Sequence, residues 1–201
     1  MRRVRLAVLV PFLFGALPAT AAAQSYGPEF SVGLGPTVPS GRFADQNLTG
    51  YNVTLGLGGE PEGWPVGVRV EGIYNGFTLA SGVYACDGST CGRTSSVAGG
   101  TLNLVYDRLL PRRRTERRRG RPASTLFVIG GLGLYQVHAI AGTIITPAGP
   151  GYASATQSYT GWNLGGGIRF PVGGISAYVE ARVHALETGT RFVPVTVGLI
   201  F

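Results

Sequence analysis

The stretch Ile175-Ser176-Ala177-Tyr178-Val179-Glu180-Ala181-Arg182-Val183-His184-Ala185 decides the fold. Every odd position is apolar, while the even positions hold serine, tyrosine, glutamate, arginine and histidine. A repeat of two places these sets on opposite faces of a β-strand, whereas a helix would scatter both around its axis. Seven more runs read the same way, at residues 30–38, 51–59, 66–77, 96–106, 125–137, 159–170 and 191–201. Most are about nine to twelve residues long. That is the length a tilted strand needs to cross a bilayer, and it exceeds the usual five or six of a soluble strand.

The links between the runs alternate in length as well. Those after the first, third, fifth and seventh are expected as loops at 39–50, 78–93, 139–158 and 186–190. Those after the second and sixth are tight, at Glu60-Pro61-Glu62-Gly63-Trp64 and Pro171-Val172-Gly173-Gly174. Long loops on one side and short turns on the other predict an all-β protein. The expected fold is an eight-stranded antiparallel up-and-down transmembrane β-barrel with both termini in the periplasm.

Cost assigns the faces. Trp162, Leu164, Ile168 and Phe170, then Ile175 to Ala185 in steps of two, then Val193, Val195, Val197, Leu199 and Phe201 are expected to face hydrocarbon. In the third run Val66, Val68 and Val70 point outward, which turns Arg69 and Glu71 inward. An arginine on the lipid face near the midplane would cost about 2–4 kcal/mol. Arg69, Glu71, Arg169, Glu180 and Arg182 are therefore expected to form a charge network inside the lumen. Eight strands leave a lumen that side chains can fill, whereas an open aqueous channel needs about 16. A narrow polar path for small solutes stays open as the second reading. Tyr51, Tyr74, Tyr106, Trp162 and Phe201 lie toward strand ends, as interfacial aromatic girdles do.

Export is written at the start. Arg2, Arg3 and Arg5 precede an apolar stretch from Leu6 to Leu17, followed by Ala19-Thr20-Ala21-Ala22-Ala23. Residues 1–23 thus read as a secretory signal peptide and 24–201 as one barrel domain; the apolar run is too short for a membrane-spanning helix. In an oxidising compartment Cys86 and Cys91 are expected to pair as a disulfide. A metal site is the weaker alternative, since His138 and His184 are far apart in sequence and there is no second cysteine pair.

Composition agrees with a lipid-facing wall: charged residues are 13% of the chain, mean hydropathy is +0.20 and glycine occurs 33 times in 201 residues. The net charge of +7 is unevenly placed, and all 17 basic residues are arginine. The link after the fourth run carries Arg108, Arg112, Arg113, Arg114, Arg117, Arg118, Arg119 and Arg121 against one acid, Glu116. The rest of the chain after residue 23 has six arginines against nine acids, so the barrel itself is mildly acidic. The link is expected in the periplasm, as a solvated, self-repelling turn. The sharper reading docks it on anionic head groups or an anionic periplasmic partner. Nucleic acid is a poor partner for it, because no aromatics interleave the arginines. At the opposite end, Arg93 and Arg191 near strand tops are candidates to meet lipopolysaccharide phosphates.

With its signal segment, eight amphipathic runs, Tyr178-Val179-Glu180-Ala181-Arg182 in the penultimate one and a last run ending on Phe201, the chain resembles the small outer-membrane β-barrel proteins related to outer membrane proteins A, X and W. The resemblance is one of pattern over the whole mature chain. It implies a monomer in the bacterial outer membrane among lipids and lipopolysaccharide, without a cofactor, with a structural or surface-interaction role through its loops. It also implies that Phe201 belongs to the signal read by the barrel assembly machinery. Leu199 departs from that pattern where a second aromatic is often found.

An enzyme is not expected. Some small outer-membrane barrels modify lipid A, but His184 lacks a serine two residues on and falls on the lumen parity. His138 lies near Ser154 and Ser158 without an acid in its own loop. No Gly-x-Ser-x-Gly, phosphate-binding glycine loop or zinc spacing is present. Two other architectures compete: a soluble lipocalin-like barrel with its apolar face inward, and a membrane helix within the uncharged run 125–158.

Overall fold

The computed structural model describes residues 27–62, 64–80, 85–87, 90–92, 94–109, 124–146 and 149–201. The signal segment 1–23 and seven of the link's eight arginines, Arg112 to Arg121, lie outside them.

Among the described residues ten strands form, in chain order: β1 Glu29–Ser40, β2 Asn47–Gly59, β3 Gly67–Leu79, β4 Ala85–Asp87, β5 Thr90–Gly92, β6 Thr94–Leu109, β7 Thr125–Thr146, β8 Gly149–Val172, β9 Ile175–Leu186 and β10 Arg191–Ile200. Eight are barrel staves, and β4 and β5 are a small hairpin between β3 and β6. Each stave pairs antiparallel with its chain neighbours, and β1 pairs with β10 from Ser31↔Ile200 to Ser40↔Arg191. That last pairing closes the sheet, so the fold is an up-and-down antiparallel barrel with no free edge among its staves. Beyond the end of β10, the Phe201 N–H donates to Phe30 O (2.8 Å) and the Phe30 N–H to Phe201 O (3.2 Å).

The faces divide as cost dictates. Leu34, Leu55, Leu57, Val70, Leu102, Leu132 and Leu164 stand exposed on the outer wall, while Thr54, Arg69, Glu71, Thr101, Asn103 and Asn163, of the opposite parity, are buried inside. The lipocalin-like alternative would reverse this arrangement. The run 125–158 is strand rather than helix, and among the described residues no helix is long and apolar enough to cross a membrane. Exposed aromatics gather near both ends of the wall, with Tyr51 beside Tyr74 at the loop end (ring centroids 6.1 Å apart) and Phe30 beside Phe201 at the end bearing the termini (6.3 Å).

Three expected loops are corrected. The segment 139–158 is not a loop: β7 and β8 run on through most of it and stay paired as far as Thr146↔Gly149, with one register shift between Ile140 and Gly142. Beyond the bilayer the demand for a lipid-facing stripe lifts, so strand pairing outlasts the amphipathic signal. The loop 39–50 shrinks, because β1 reaches Ser40, a 3₁₀ turn fills Gly41–Asp45 and β2 begins at Asn47. Within 78–93 the β4–β5 hairpin sets Cys86 opposite Cys91 and leans on β8 at Cys86↔Ala153. The cysteine side chains lie outside what is described, and no disulfide occurs among the described residues. Arg108, expected in the link, belongs to β6 opposite Leu126.

Glycines make room for rings inside the barrel. A Cβ on Gly198 would lie 2.4 Å from the Tyr178 ring and 2.3 Å from Val32 O. One on Gly133 would meet Thr101 at 2.7 Å and the Tyr135 ring at 2.9 Å, whereas Gly100 has open space where its Cβ would stand. Filling such a site forces neighbours off their rotamers at a typical cost of about 1–3 kcal/mol. Gly198→Leu and Gly133→Leu are therefore expected to lower the unfolding free energy, measured by urea titration in lipid vesicles, by an amount in that range. Gly100→Ala should leave it unchanged or raise it slightly, by about 0.4–1 kcal/mol.

Candidate functional site

Two tripeptides build the centre of the lumen. Arg69-Val70-Glu71 lies on β3 and Glu180-Ala181-Arg182 on β9, and both strands run from the terminal end toward the loop end. Within each tripeptide the charged residues share the inner face and the middle residue points to the wall. Because the charge order is reversed between strands of the same direction, each cation meets an anion across the lumen. Arg69 Nη2 donates to Glu180 Oε2 at 2.7 Å, and Arg182 Nη1 donates to Glu71 Oε2 at 2.5 Å. Each arginine also holds the acid of its own strand: Arg69 Nε lies 3.2 Å from Glu71 Oε1, and Arg182 Nε donates to Glu180 Oε1 at 2.8 Å. Asn103 on β6 adds a donor to Glu71 (2.9 Å).

All four charged side chains are almost completely enclosed, at 2–7% exposure. Buried charges are tolerable only when paired and hydrogen-bonded, and here two cations balance two anions.

Apolar clusters cap this square on both sides. Toward the loop end lie Ile73, Phe77, Val97, Tyr135, Val137, Leu186 and Phe192, with Phe43 and Tyr159 packed above them. His184 belongs to this layer, its ring stacked on Phe192 (4.9 Å, 4°) and Nδ1 within 3.0 Å of the Tyr135 hydroxyl. Toward the terminal end lie Val105, Phe127, Ile129, Tyr178 and Ile200. Parity reasoning on the charged residues missed these layers. The signal lay in residues 126–129, where both faces of the strand are apolar.

Arg169 does not join the square. It faces inward but sits lower, at the terminal rim, with Nη1 3.5 Å from Glu29 Oε1 and 3.7 Å from Asp107 Oδ2. Phe127 separates the two levels, with both the Arg69 and the Arg169 guanidinium 5.9 Å from its ring centroid. Glu60, in the turn after β2, adjoins the rim. Partial burial, then the neighbouring Asp107 and Glu29, hold its carboxyl above the usual range while Arg169 pulls the other way.

His138 lies outside the lumen. It faces the wall near the loop end with Ser96 and Thr156 as its register partners, and its Nδ1 is 3.0 Å from Thr156 Oγ1. Among the described residues, none with a carboxylate lines the small cavity it shares with Tyr51, Tyr74 and Ser96. Among the described residues no cluster of His, Cys, Asp and Glu is placed to hold a metal ion.

No protein-family model matches this sequence, and no curated protein matches it. Solved structures do. Neisserial surface protein A is similar with a TM-score of 0.57 at 12% identity, over 88% of this chain and 98% of that one. The N-terminal β-barrel domain of Pseudomonas aeruginosa OprF gives 0.46 at 14%, over 87% and 97%. Ail, the attachment invasion locus protein of Yersinia pestis, crystallised with the heparin analogue sucrose octasulfate, gives 0.45 at 17%, over 87% and 99%. At these identities the likeness to the first of them is one of fold: this chain has the fold of the small eight-stranded outer-membrane β-barrels.

Removing one partner from a buried ion pair typically costs about 3–5 kcal/mol, because the other charge is left stranded. Arg182→Met should therefore lower the stability of the refolded protein by about that amount in urea titrations. Glu29→Gln at the half-exposed rim should change it by less than about 1 kcal/mol.

Proposed function

We propose that this chain, having the small outer-membrane barrel fold, is a non-enzymatic integral protein of the bacterial outer membrane that acts as a structural element and meets other molecules through its extracellular loops. One observation carries the reading: the lumen is filled at three successive levels, apolar, charged and apolar. A solute path would have to break the ion-paired square and displace both aromatic layers. That favours a closed barrel over the narrow channel.

The other assignments follow from orientation. The end bearing both termini faces the periplasm, and residues 1–23 are removed on export. Phe201, already pinned to Phe30 at the seam, is presented to the barrel assembly machinery. The arginine-dense link leaves β6 and enters β7 at the periplasmic rim, where guanidiniums suit phosphate head groups or an anionic partner. Cys86 and Cys91 face each other across the β4–β5 hairpin, a placement from which they would pair in an oxidising compartment. In a hairpin with two residues between Asp87 and Thr90, the next pair out is a non-hydrogen-bonded one, with Cα atoms about 4.5 Å apart, and disulfides form at that separation. The protein acts as a monomer among lipids and lipopolysaccharide and needs no cofactor.

The test is conductance together with fractionation. The chain should appear in the outer-membrane fraction with heat-modifiable gel migration, give no stepwise currents in planar bilayers and leave the mass of lipid A unchanged. Steady unitary currents would favour the channel instead, and a new lipid A species would make it an enzyme.

A further inference from the structure

We propose that the loop end of the barrel binds a sulfated or phosphorylated saccharide in the vestibule between Arg42 and Arg191. The proposal deepens the surface-interaction reading and rests on it. A cavity of about 550 Å³ opens here, within the usual size of a small-molecule site. Its lining includes Arg42, Phe43, Gln46, Tyr159, Thr188 and Arg191.

Charge is the first argument. Of the six arginines among the described residues, Arg69, Arg169 and Arg182 are ion-paired inside the barrel. Arg42 and Arg191 are exposed, and neither has a carboxylate of the described residues within 4 Å. The nearest acids in sequence do not line the cavity. Asp45 is on the same 3₁₀ turn as Arg42, and the Glu187 carboxylate accepts a hydrogen bond from the Thr160 hydroxyl (2.8 Å) on the outer wall. Two unneutralised guanidiniums flanking one cavity match an ester oxyanion, which each can bind in a bidentate fork.

Preorganisation is the second. The turn bearing Arg42 is tied down by Asn47 Nδ2 donating to Phe43 O (2.9 Å) and by the Phe43 ring set edge-on against Phe77 at 5.0 Å. The turn before Arg191 is closed by the Leu186 N–H donating to Thr190 O (2.9 Å) and the Gly189 N–H donating to Leu186 O (2.9 Å). Gly41 and Gly189, at φ +60° and +82°, supply the left-handed backbone these turns require. Little ordering cost then remains for a ligand.

Position and chemistry select the ligand. Val137 and Tyr159, on the lumen parity, also line the cavity, so it opens along the barrel axis and not onto the lipid wall. That points to a molecule arriving from outside, in preference to a lipid of the same membrane. Gln46, Thr188 and Thr190 offer neutral hydrogen-bonding groups to sugar hydroxyls, and Phe43 and Tyr159 offer ring faces, a mixture that suits a saccharide better than an acidic peptide.

The test uses the full chain in phospholipid nanodiscs, with Arg112, Arg113, Arg114, Arg117, Arg118, Arg119 and Arg121 changed to Gln so that the opposite end cannot capture polyanions. Calorimetric titration compares a sulfated dextran oligosaccharide, the same unsulfated oligosaccharide and polyglutamate, with folding of every variant confirmed by heat-modifiable migration. The sulfated sugar should bind, more weakly as salt rises, and the other two probes should bind at least about tenfold more weakly. Arg42→Gln and Arg191→Gln should each weaken binding about tenfold and together abolish it, while Arg108→Gln at the far end leaves it unchanged. Wild-type affinity in the double variant, equal binding of polyglutamate, or no binding of the sulfated sugar would overturn the proposal. If binding survives the double variant but disappears when residues 81–92 are replaced by a short Gly-Ser turn, the vestibule is wrong and the surface-interaction reading stands.

Discussion

In hydrocarbon no water is available to satisfy a peptide group, and each unpaired N–H or C=O costs several kcal/mol. A sheet meets that demand only by closing on itself, so the seam between β1 and β10 is the contact on which the rest of the structure depends. Closure fixes eight staves, eight staves fix a narrow lumen, and a narrow lumen must be filled by side chains. The alternation of Ile175 to Ala185 follows from the same demand, because one face must be apolar enough for lipid while the other may carry charge.

How the lumen is filled gives the barrel its character. A square of two arginines and two glutamates would be costly alone in a low-dielectric interior, and here each charge has partners on its own strand and across the lumen. The reversed order of Arg69-Val70-Glu71 and Glu180-Ala181-Arg182 makes that possible on two strands of the same direction. Aromatic layers above and below keep water from the square, and glycines opposite Tyr135 and Tyr178 give the rings their space. On the proposed reading, the same filling closes off transport and leaves the two ends of the barrel as the places where other molecules can be met.

Much of this was legible in the sequence, for physical reasons that also mark where legibility ended. Inward placement of Arg69, Glu71, Glu180 and Arg182 could be read because the lipid face excludes charge, a constraint local to each strand. The level of a residue along the axis is not local. Arg169 shares the inward parity yet sits at the rim beside Glu29 and Asp107, and only the register between strands separates it from the square. The apolar layers were hidden because Leu126-Phe127-Val128-Ile129 is apolar on both faces and so carries no period. The extension of β7 and β8 to Thr146 and Gly149 was hidden because strands outside the bilayer owe nothing to amphipathicity. Arg42 and Arg191 stand 149 positions apart in the numbering, and only the closed barrel brings their two turns to one vestibule.

Closure itself can be measured by amide hydrogen exchange of the protein in lipid bilayers. The account predicts that residues of β1 from Ser31 to Leu34 and of β10 from Val197 to Ile200 are protected as strongly as their counterparts in β3 and β6, since the seam is bonded like any other pair of staves. Rapid exchange along β1 and β10, with protection confined to the strands between them, would mean an open sheet and would contradict the account at its foundation.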